Sequence, residues 1–250
     1  MVRMMAFLVL AGVAAIVAPF AITPSVNGAA ILVQAQAEKH GAGYPAPAPP
    51  QRFSQALVAT EDHRFYSVFD PGVDPFAVGR AALGQILGWR DQGGSTIEQQ
   101  LAKMLYTPRD HGTSAKLEQV ALAIKLSFTY AKPDILAMYA SVVYFGSGYY
   151  GLENASCGYF GMPAASLTWA QVAMMVGIID APSIYNPRVN PEYAYARERH
   201  VLARLVKVGG ITEAQAKAEL AQPIGLVAKA SGKNLPCHQA SQGGPPSRSG

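Results

Sequence analysis

Gly93-Gly94-Ser95-Thr96-Ile97-Glu98-Gln99-Gln100-Leu101-Ala102-Lys103 reads as the start of a helix preceded by two glycines. A helix start gathers unpaired backbone N–H donors and the positive end of the helix dipole, and together these favour an anion. Ser95 suits the N-cap, and Glu98 three residues on completes a capping box. Capping alone accounts for Ser95 and Glu98 in any helix. It leaves Gln99, Gln100 and Lys103 unexplained; they cover adjoining helical faces, with Gln99 and Lys103 four residues apart. An ordinary capped helix and an anion site are the two readings of this segment.

The surrounding sequence is a succession of further helical signals. Phe76 to Leu87 is a short apolar helix, and Ser95 to Tyr106 is the capped one. Within 114–130, Leu117, Val120, Ala121, Ile124 and Phe128 fall at the spacing of one buried stripe. Pro133 stands where a helix begins, and Ile135, Met138, Tyr139 and Val142 continue its apolar face. Thr168 with Gln171 caps a helix through Met174 and Met175, which read as core fillers. Pro191 opens a helix to about Val208, closed by Gly209-Gly210. Thr212 with Gln215 caps a last one. Tyr144-Phe145-Gly146-Ser147-Gly148-Tyr149-Tyr150-Gly151 is too aromatic and Gly-rich for a helix and reads as a compact loop. With no convincing hairpin or alternating strand, the fold class is all-α.

The chain has 250 residues, about half of them hydrophobic, enough for one core and one catalytic domain with appendages. Met4 to Ile22 carries no charge and has Arg3 on its N-terminal side. Its length is near the ~20 residues a helix needs to cross a bilayer. The basic flank favours a cytoplasmic N-terminus and an exported remainder. Residues 1–25 are therefore expected to be a membrane anchor. The alternative is a cleaved signal peptide ending at Ala35-Gln36-Ala37. Residues 26–52 read as a Pro/Ala-rich linker, 53–226 as the catalytic domain and 227–250 as a disordered tail. The net charge of +4 suits an anionic lipid surface or a phosphate-bearing substrate. Neither a basic stripe nor a nucleic-acid motif is present, so no nucleic acid is expected. Cys157 and Cys237 form neither a metal spacing nor a disulfide framework; Cys157 reads as a small core residue and Cys237 as incidental. The five histidines are scattered without ligand spacing.

Glu61-Asp62 follows Ala56-Leu57-Val58-Ala59 and precedes Phe65-Tyr66. A carboxylate beside apolar and aromatic groups can have a raised pKa and act as general acid or base; a solvated acidic pair at a helix end is the bland alternative. Glu118, in the 114–130 helix, is a second acidic candidate, with a solvated face residue pairing with Lys125 as its alternative. Arg109 and Lys116 add positive charge nearby. Two carboxylates on separate helices with a lysine-bearing anion site between them suit chemistry at a sugar with a phosphate leaving group.

Together these segments resemble the peptidoglycan glycosyltransferases (glycosyltransferase family 51), from about Phe53 to Leu226. Glu61-Asp62-His63-Arg64-Phe65-Tyr66 looks like the first motif, and Gly93 to Lys103 matches the second closely. Lys132, Ile135-Leu136 and Tyr139 are similar to the third. Gly148 to Gly151 with Tyr159-Phe160-Gly161 resembles the fourth, and Ala181-Pro182-Ser183 with Tyr185-Asn186-Pro187 the fifth. The resemblance implies a lysozyme-like helical domain held by an N-terminal transmembrane helix on the outer side of a bacterial inner membrane. It implies polymerisation of lipid II into glycan strands, with inversion and release of undecaprenyl pyrophosphate. Glu61 would deprotonate the acceptor hydroxyl. Ser95, Thr96, Gln100 and Lys103 would hold donor phosphates, with Arg109 a looser member and Asp62 and Lys116 beside the substrate. No cofactor is expected; a divalent cation, magnesium or manganese, stays open. Partners would be lipid II, the growing glycan, the membrane and transpeptidases.

The sequence departs from that family in the first and third motifs, and also at Ala115, Ser127, Ala137 and Ser141, where the family usually has Arg, Glu, Glu and Asn. Val68-Phe69-Asp70-Pro71 fills the interval where the first motif has a histidine, with two extra residues. Aligning the family's Arg-Lys-x-x-Glu run on Lys116 places Gln119 where a second catalytic glutamate stands, with Glu118 one residue earlier. One residue turns a helix by about 100°, so Glu118 does not simply substitute. A catalytically impaired relative that binds lipid-linked precursor is the second reading, and a lysozyme-like hydrolase a third.

Overall fold

The computed structural model describes residues 20–46, 48–67, 70–74, 95–110, 112–229 and 237. They include the α-helices α1 (Ala29–Lys39), α2 (Gln51–Glu61), α3 (Ile97–Tyr106), α4 (Thr113–Thr129), α5 (Lys132–Val142), α6 (Leu152–Phe160), α7 (Trp169–Asp180), α8 (Pro191–Lys207) and α9 (Glu213–Leu220), with a short 3-10 turn at Ala164–Ser166. Among the described residues the only extended pairing is an isolated bridge between Tyr144 and Tyr150, so the fold is all-α. The expected helix at Phe76–Leu87 lies outside the described residues. So does most of the expected anchor, through residue 19. Among the described residues no helix is long and apolar enough to cross a membrane.

The chain divides into two compact units, Met1–Ala30 with Arg64–Ile135 and Ile31–His63 with Leu136–Gly250. In the first, α3 packs on α4. α3 buries Ile97, Leu101, Ala102 and Leu105, and also the polar Glu98 and Gln99. The buried side of α4 carries Ala115, Gln119, Leu122 and Leu126. This corrects the expected stripe: Leu117 is 58% and Phe128 80% exposed, and of the five residues expected inside only Ala121 is buried. Periodicity identifies an apolar face without saying where the partner helix lies; here that partner covers the opposite side. Gly72 is where the loop after Phe65 meets α4. Its φ is +90° and an added Cβ would sit 2.5 Å from the Ala123 carbonyl oxygen, so both the conformation and the space require glycine.

In the second unit, α2 buries Phe53, Ala56, Leu57 and Ala59 and packs on α7 and α8. α7 is apolar all round, as a helix covered on several sides must be, and buries Met174 and Met175 among others. The capping boxes of Thr168 with Gln171 and Thr212 with Gln215 both form. Tyr144–Gly151 is a compact loop, closed by Phe145 N–H to Tyr149 O (2.9 Å) and Gly151 N–H to Val143 O (2.9 Å).

Two further expectations need correction. The stretch expected as a linker contains α1, whose Ala29, Val33 and Ala37 are at most 1% exposed. Its Ala-rich sequence has the propensity for helix, and its small residues fit close to neighbours. The cysteines are also paired: Cys157 in α6 and Cys237 form a disulfide with Cα atoms 5.5 Å apart, 80 residues apart in sequence. Two cysteines separated by that distance give no local spacing signal.

Glu198, on α8, is 3% exposed, and among the described residues its Oε2 has no hydrogen-bond partner. Burial pushes its carboxyl from the ordinary 4.5 up to about 7, with Arg199 opposing and Glu219 reinforcing the shift. The folded state then holds a proton that the unfolded chain has already lost, so stability falls as pH rises from about 4.5 to about 7. Glu198→Gln is expected to flatten that dependence and to be the more stable protein at pH 8, as measured by denaturant unfolding across pH.

Candidate functional site

The segment from Ser95 to Lys103 is built differently from the sequence expectation. Thr96, not Ser95, is the N-cap of α3; its Oγ1 accepts from Gln99 N–H (3.2 Å) and donates to the Gly72 carbonyl (2.7 Å). The Ser95–Glu98 capping box is thereby corrected. Both residues could cap by composition, and the bond to Gly72 selects Thr96. The one-residue shift frees Ser95. Its Oγ accepts from the Lys116 ammonium at 2.6 Å, and the same ammonium reaches Gln99 Oε1 at 3.4 Å.

Lys116 is exposed as a residue while its ammonium is tucked against Ser95 and Gln99. Partial burial pulls its pKa below 10.5, and the like charge of Lys103 pulls it further. The Lys116 ammonium stands at the N-terminal end of α3, and Lys103, in the last turn of the same helix, adds a second positive charge. A bound anion relieves that repulsion. Of the sequence candidates, the first unit thus brings together Ser95, Thr96, Lys103 and Lys116. Gln100 is half-buried on the same helix, and Arg109 is exposed just beyond its end. Gly93 and Gly94 lie outside the described residues.

Behind this surface stands a group the sequence reading credited only with capping. Glu98 is fully buried, and its Oε1 pairs with Lys132 Nζ at 2.5 Å. Lys132 also donates to the Asp70 carbonyl (3.3 Å) and sits 4.4 Å from the Phe65 ring centroid. One ammonium therefore joins α3, the start of α5 and the loop that follows the first motif. Desolvation raises the Glu98 pKa even though Lys132 opposes the shift, and among the described residues its Oε2 has no hydrogen-bond partner. Arg64 fixes the same loop by two bonds to Asp74 Oδ2, at 2.6 and 3.1 Å.

Gln119 is 6% exposed and its amide donates to Thr107 Oγ1 at 2.9 Å. Glu118, one position round the helix, is part-exposed. Lys125, considered as its partner, instead donates to Thr23 O and Oγ1, both at 2.8 Å.

Glu61 and Asp62 belong to the second unit, at the C-terminal end of α2. Asp62 is 5% exposed. Glu61 Oε1 lies 3.8 Å from the Arg197 guanidinium, which also pairs with Asp180 (3.2 Å) and covers the Tyr185 ring. Tyr139, wholly buried, has its hydroxyl pKa raised well above 10, first by burial and then by the Glu61 charge. Arg197 was not among the sequence candidates, because no local pattern connects it to Glu61.

A family model described as Transglycosylase matches residues 29–206. The chain belongs to the transglycosylase family. The transglycosylase domain is 39% identical over 176 residues to penicillin-binding protein 1A of Aquifex aeolicus, covering 70% of this chain and 24% of that protein. It is 37% identical over 177 residues to a Cupriavidus necator protein named as a transglycosylase, covering 71% of this chain and 76% of that one. The crystal structure of penicillin-binding protein 1A from Haemophilus influenzae aligns over 54% of this chain and 17% of its own, with a TM-score of 0.37 at 24% identity. The chain thus spans about a quarter of the length of the Aquifex protein. The match begins at Ala29, the first residue of α1, in the stretch expected as linker.

Removing one partner of a buried ion pair leaves an uncompensated charge, at a typical cost of about 3 kcal/mol or more. Glu98→Gln is expected to destabilise the domain by that amount in urea unfolding. The double change Glu98→Leu with Lys132→Met should recover a large part of the loss, because an apolar pair needs no counter-charge.

Proposed function

We propose that this transglycosylase domain polymerises lipid II into peptidoglycan glycan strands at the outer face of a bacterial inner membrane, releasing undecaprenyl pyrophosphate. The observation that carries the reading is the cluster of Ser95, Gln99 and Lys116 at the start of α3, with Lys103 adding like charge. A pyrophosphate leaving group gains negative charge as the glycosidic bond forms. Cationic and N–H donors placed there lower the barrier most where that charge develops. Thr96, Gln100 and Arg109 extend the proposed cradle.

Glu61 is the proposed general base. Paired with Arg197 it is a carboxylate, able to take the proton of the acceptor hydroxyl as that oxygen attacks the anomeric carbon from the face opposite the pyrophosphate. Asp62, beside it, would contact substrate. A hydrolase acting on finished glycan has no pyrophosphate to hold, so the lysine cluster argues against that alternative. No cofactor is part of this proposal.

Two observations support an extracytoplasmic, membrane-anchored placement. The Cys157–Cys237 disulfide fits an oxidising compartment. The alternative processing site, Ala35-Gln36-Ala37, lies inside α1, so cleavage there would remove the buried Ala29 and Val33. Transpeptidases acting on the product strands are the expected partners.

A second reading, an impaired enzyme that retains precursor binding, is favoured by one specific observation. The position expected for the second catalytic carboxylate holds Gln119, a neutral amide bonded to Thr107. Glu118, a part-exposed carboxylate on the same helix, is the proposed substitute if turnover is intact.

Purified full-length protein incubated with labelled lipid II decides between these readings. Polymer formation is expected, with Glu61→Gln lowering the rate by about 10²-fold or more, the usual worth of a positioned general base. Lipid II binding should survive that substitution. Absence of polymer with binding intact supports the impaired relative, and a large gain in Gln119→Glu would identify the missing group. Loss of both binding and turnover in the unsubstituted protein contradicts both readings.

A further inference from the structure

The N-terminal end of α2, about 15 Å along the helix from Glu61, borders a cavity of about 160 Å³ within the second unit. Its lining is apolar at Ala46, Pro49, Pro50 and Ala140, and polar where the first turn of α6 enters. No residue of the proposed phosphate cradle lines it, and neither does Glu61. An engineered cavity of about 150 Å³ holds benzene, so this one takes a compact group of a few heavy atoms.

The polar groups in the lining select what fits. Ala155 is the first residue of α6 to bond back, its N–H meeting Gly151 O at 3.0 Å, so the N–H groups of Leu152, Glu153 and Asn154 are left for an acceptor. Asn154 is 6% exposed and lines the cavity, and among the described residues its side chain has no hydrogen-bond partner. A buried amide in that state costs free energy until an incoming group pairs with it. The Glu153 carboxylate stands at the same end, accepting from Ala164 N–H at 3.1 Å. Its charge disfavours an anion and leaves a neutral carbonyl as the matching acceptor. The helix turn calls for that carbonyl, Asn154 can accept from an N–H, and the prolines and alanines suit a methyl group. An acetamido group has all three parts. Beside the cavity lies a surface for a ring. His40 stacks on Tyr150 with centroids 3.6 Å apart, and Tyr144 is 4.5 Å from Tyr150. Tyr150 directly precedes Gly151, where an added Cβ would sit 3.3 Å from the Ala42 side chain, and both Gly151 and Ala42 line the cavity. The C–H face of a sugar ring packs on aromatic faces, which carry the negative side of the ring quadrupole.

We propose that this cavity binds the acetamido group of an N-acetylated sugar in a glycan chain. The carbonyl meets the free N–H groups of α6, the acetamido N–H meets Asn154, and the sugar ring lies beside the His40–Tyr150 stack. This rests on the polymerase reading above and gives its product a second contact. The site holds strand already made, at the end of α2 away from the carboxylate proposed to lengthen it. Two contacts on one strand slow its escape, because release of either leaves the other engaged.

Equilibrium dialysis of a radiolabelled N-acetylglucosamine tetramer against the full-length protein tests this, with the de-N-acetylated tetramer alongside. Asn154→Leu removes the amide at similar volume, and Ala46→Phe fills the cavity from a half-buried position. Each is expected to weaken tetramer binding by about tenfold or more, with the fold unchanged by circular dichroism. The unsubstituted protein should lose as much affinity for the de-N-acetylated form. Lys116→Met, which alters the cradle, should leave tetramer binding unchanged. Equal tetramer affinity in the unsubstituted protein, Asn154→Leu and Ala46→Phe overturns the proposal. So does a loss confined to Lys116→Met, which would place the sugar at the cradle, and so does equal affinity for the two tetramers. Lipid II polymerisation by the same preparations reads the parent proposal separately. Polymer without tetramer binding overturns this site alone; tetramer binding through Asn154 without polymer keeps the site and removes the polymerase reading.

Discussion

The arrangement around α3 depends on a carboxylate out of contact with water. Glu98, fully buried, meets Lys132 at 2.5 Å, and the same ammonium reaches the Asp70 carbonyl and the Phe65 ring. A buried charge is tolerated only when it is paired, and the pairing fixes what carries its partner. Here the partner sits on α5 and holds the loop after the first motif. That loop returns at Gly72 to accept the Thr96 hydroxyl. Thr96 thereby becomes the cap of α3, and Ser95 is left to face Lys116. The surface that would receive a phosphate is shaped by an ion pair that never touches it.

The lysine cluster, its serine and its glutamines are in place within one unit. Burial and then the like charge of Lys103 pull the Lys116 pKa down, a setting that a bound anion would relieve. On α4 the buried Gln119 amide donates to the Thr107 hydroxyl, and Glu118 beside it is part-exposed. Glu61 has its own setting of Arg197 and Tyr139.

Much of the fold was legible because its signals are local. The Thr168 and Thr212 capping boxes, the proline that opens α8 and the Gly-rich loop before α6 each depend on a few adjacent residues. The cap of α3 was misplaced by one because Ser95 and Thr96 are equivalent locally, and only the Gly72 carbonyl distinguishes them. The α4 stripe was recognised as apolar but assigned to the wrong side, since periodicity carries no information about the partner. Helix α1 was hidden by a composition that also suits a linker. Arg197, the Glu98–Lys132 pair and the Cys157–Cys237 disulfide depend on contacts across long stretches of chain, which no local pattern encodes.

The central claim is that Ser95, Gln99 and Lys116 form a receptor for the pyrophosphate of a lipid-linked sugar. Equilibrium binding of labelled lipid II to the full-length protein and to Lys116→Met tests it most directly. A charged hydrogen bond is worth about 1.5–3 kcal/mol, so affinity should fall by about tenfold or more with the fold unchanged by circular dichroism. Equal affinity in the two proteins would contradict the claim.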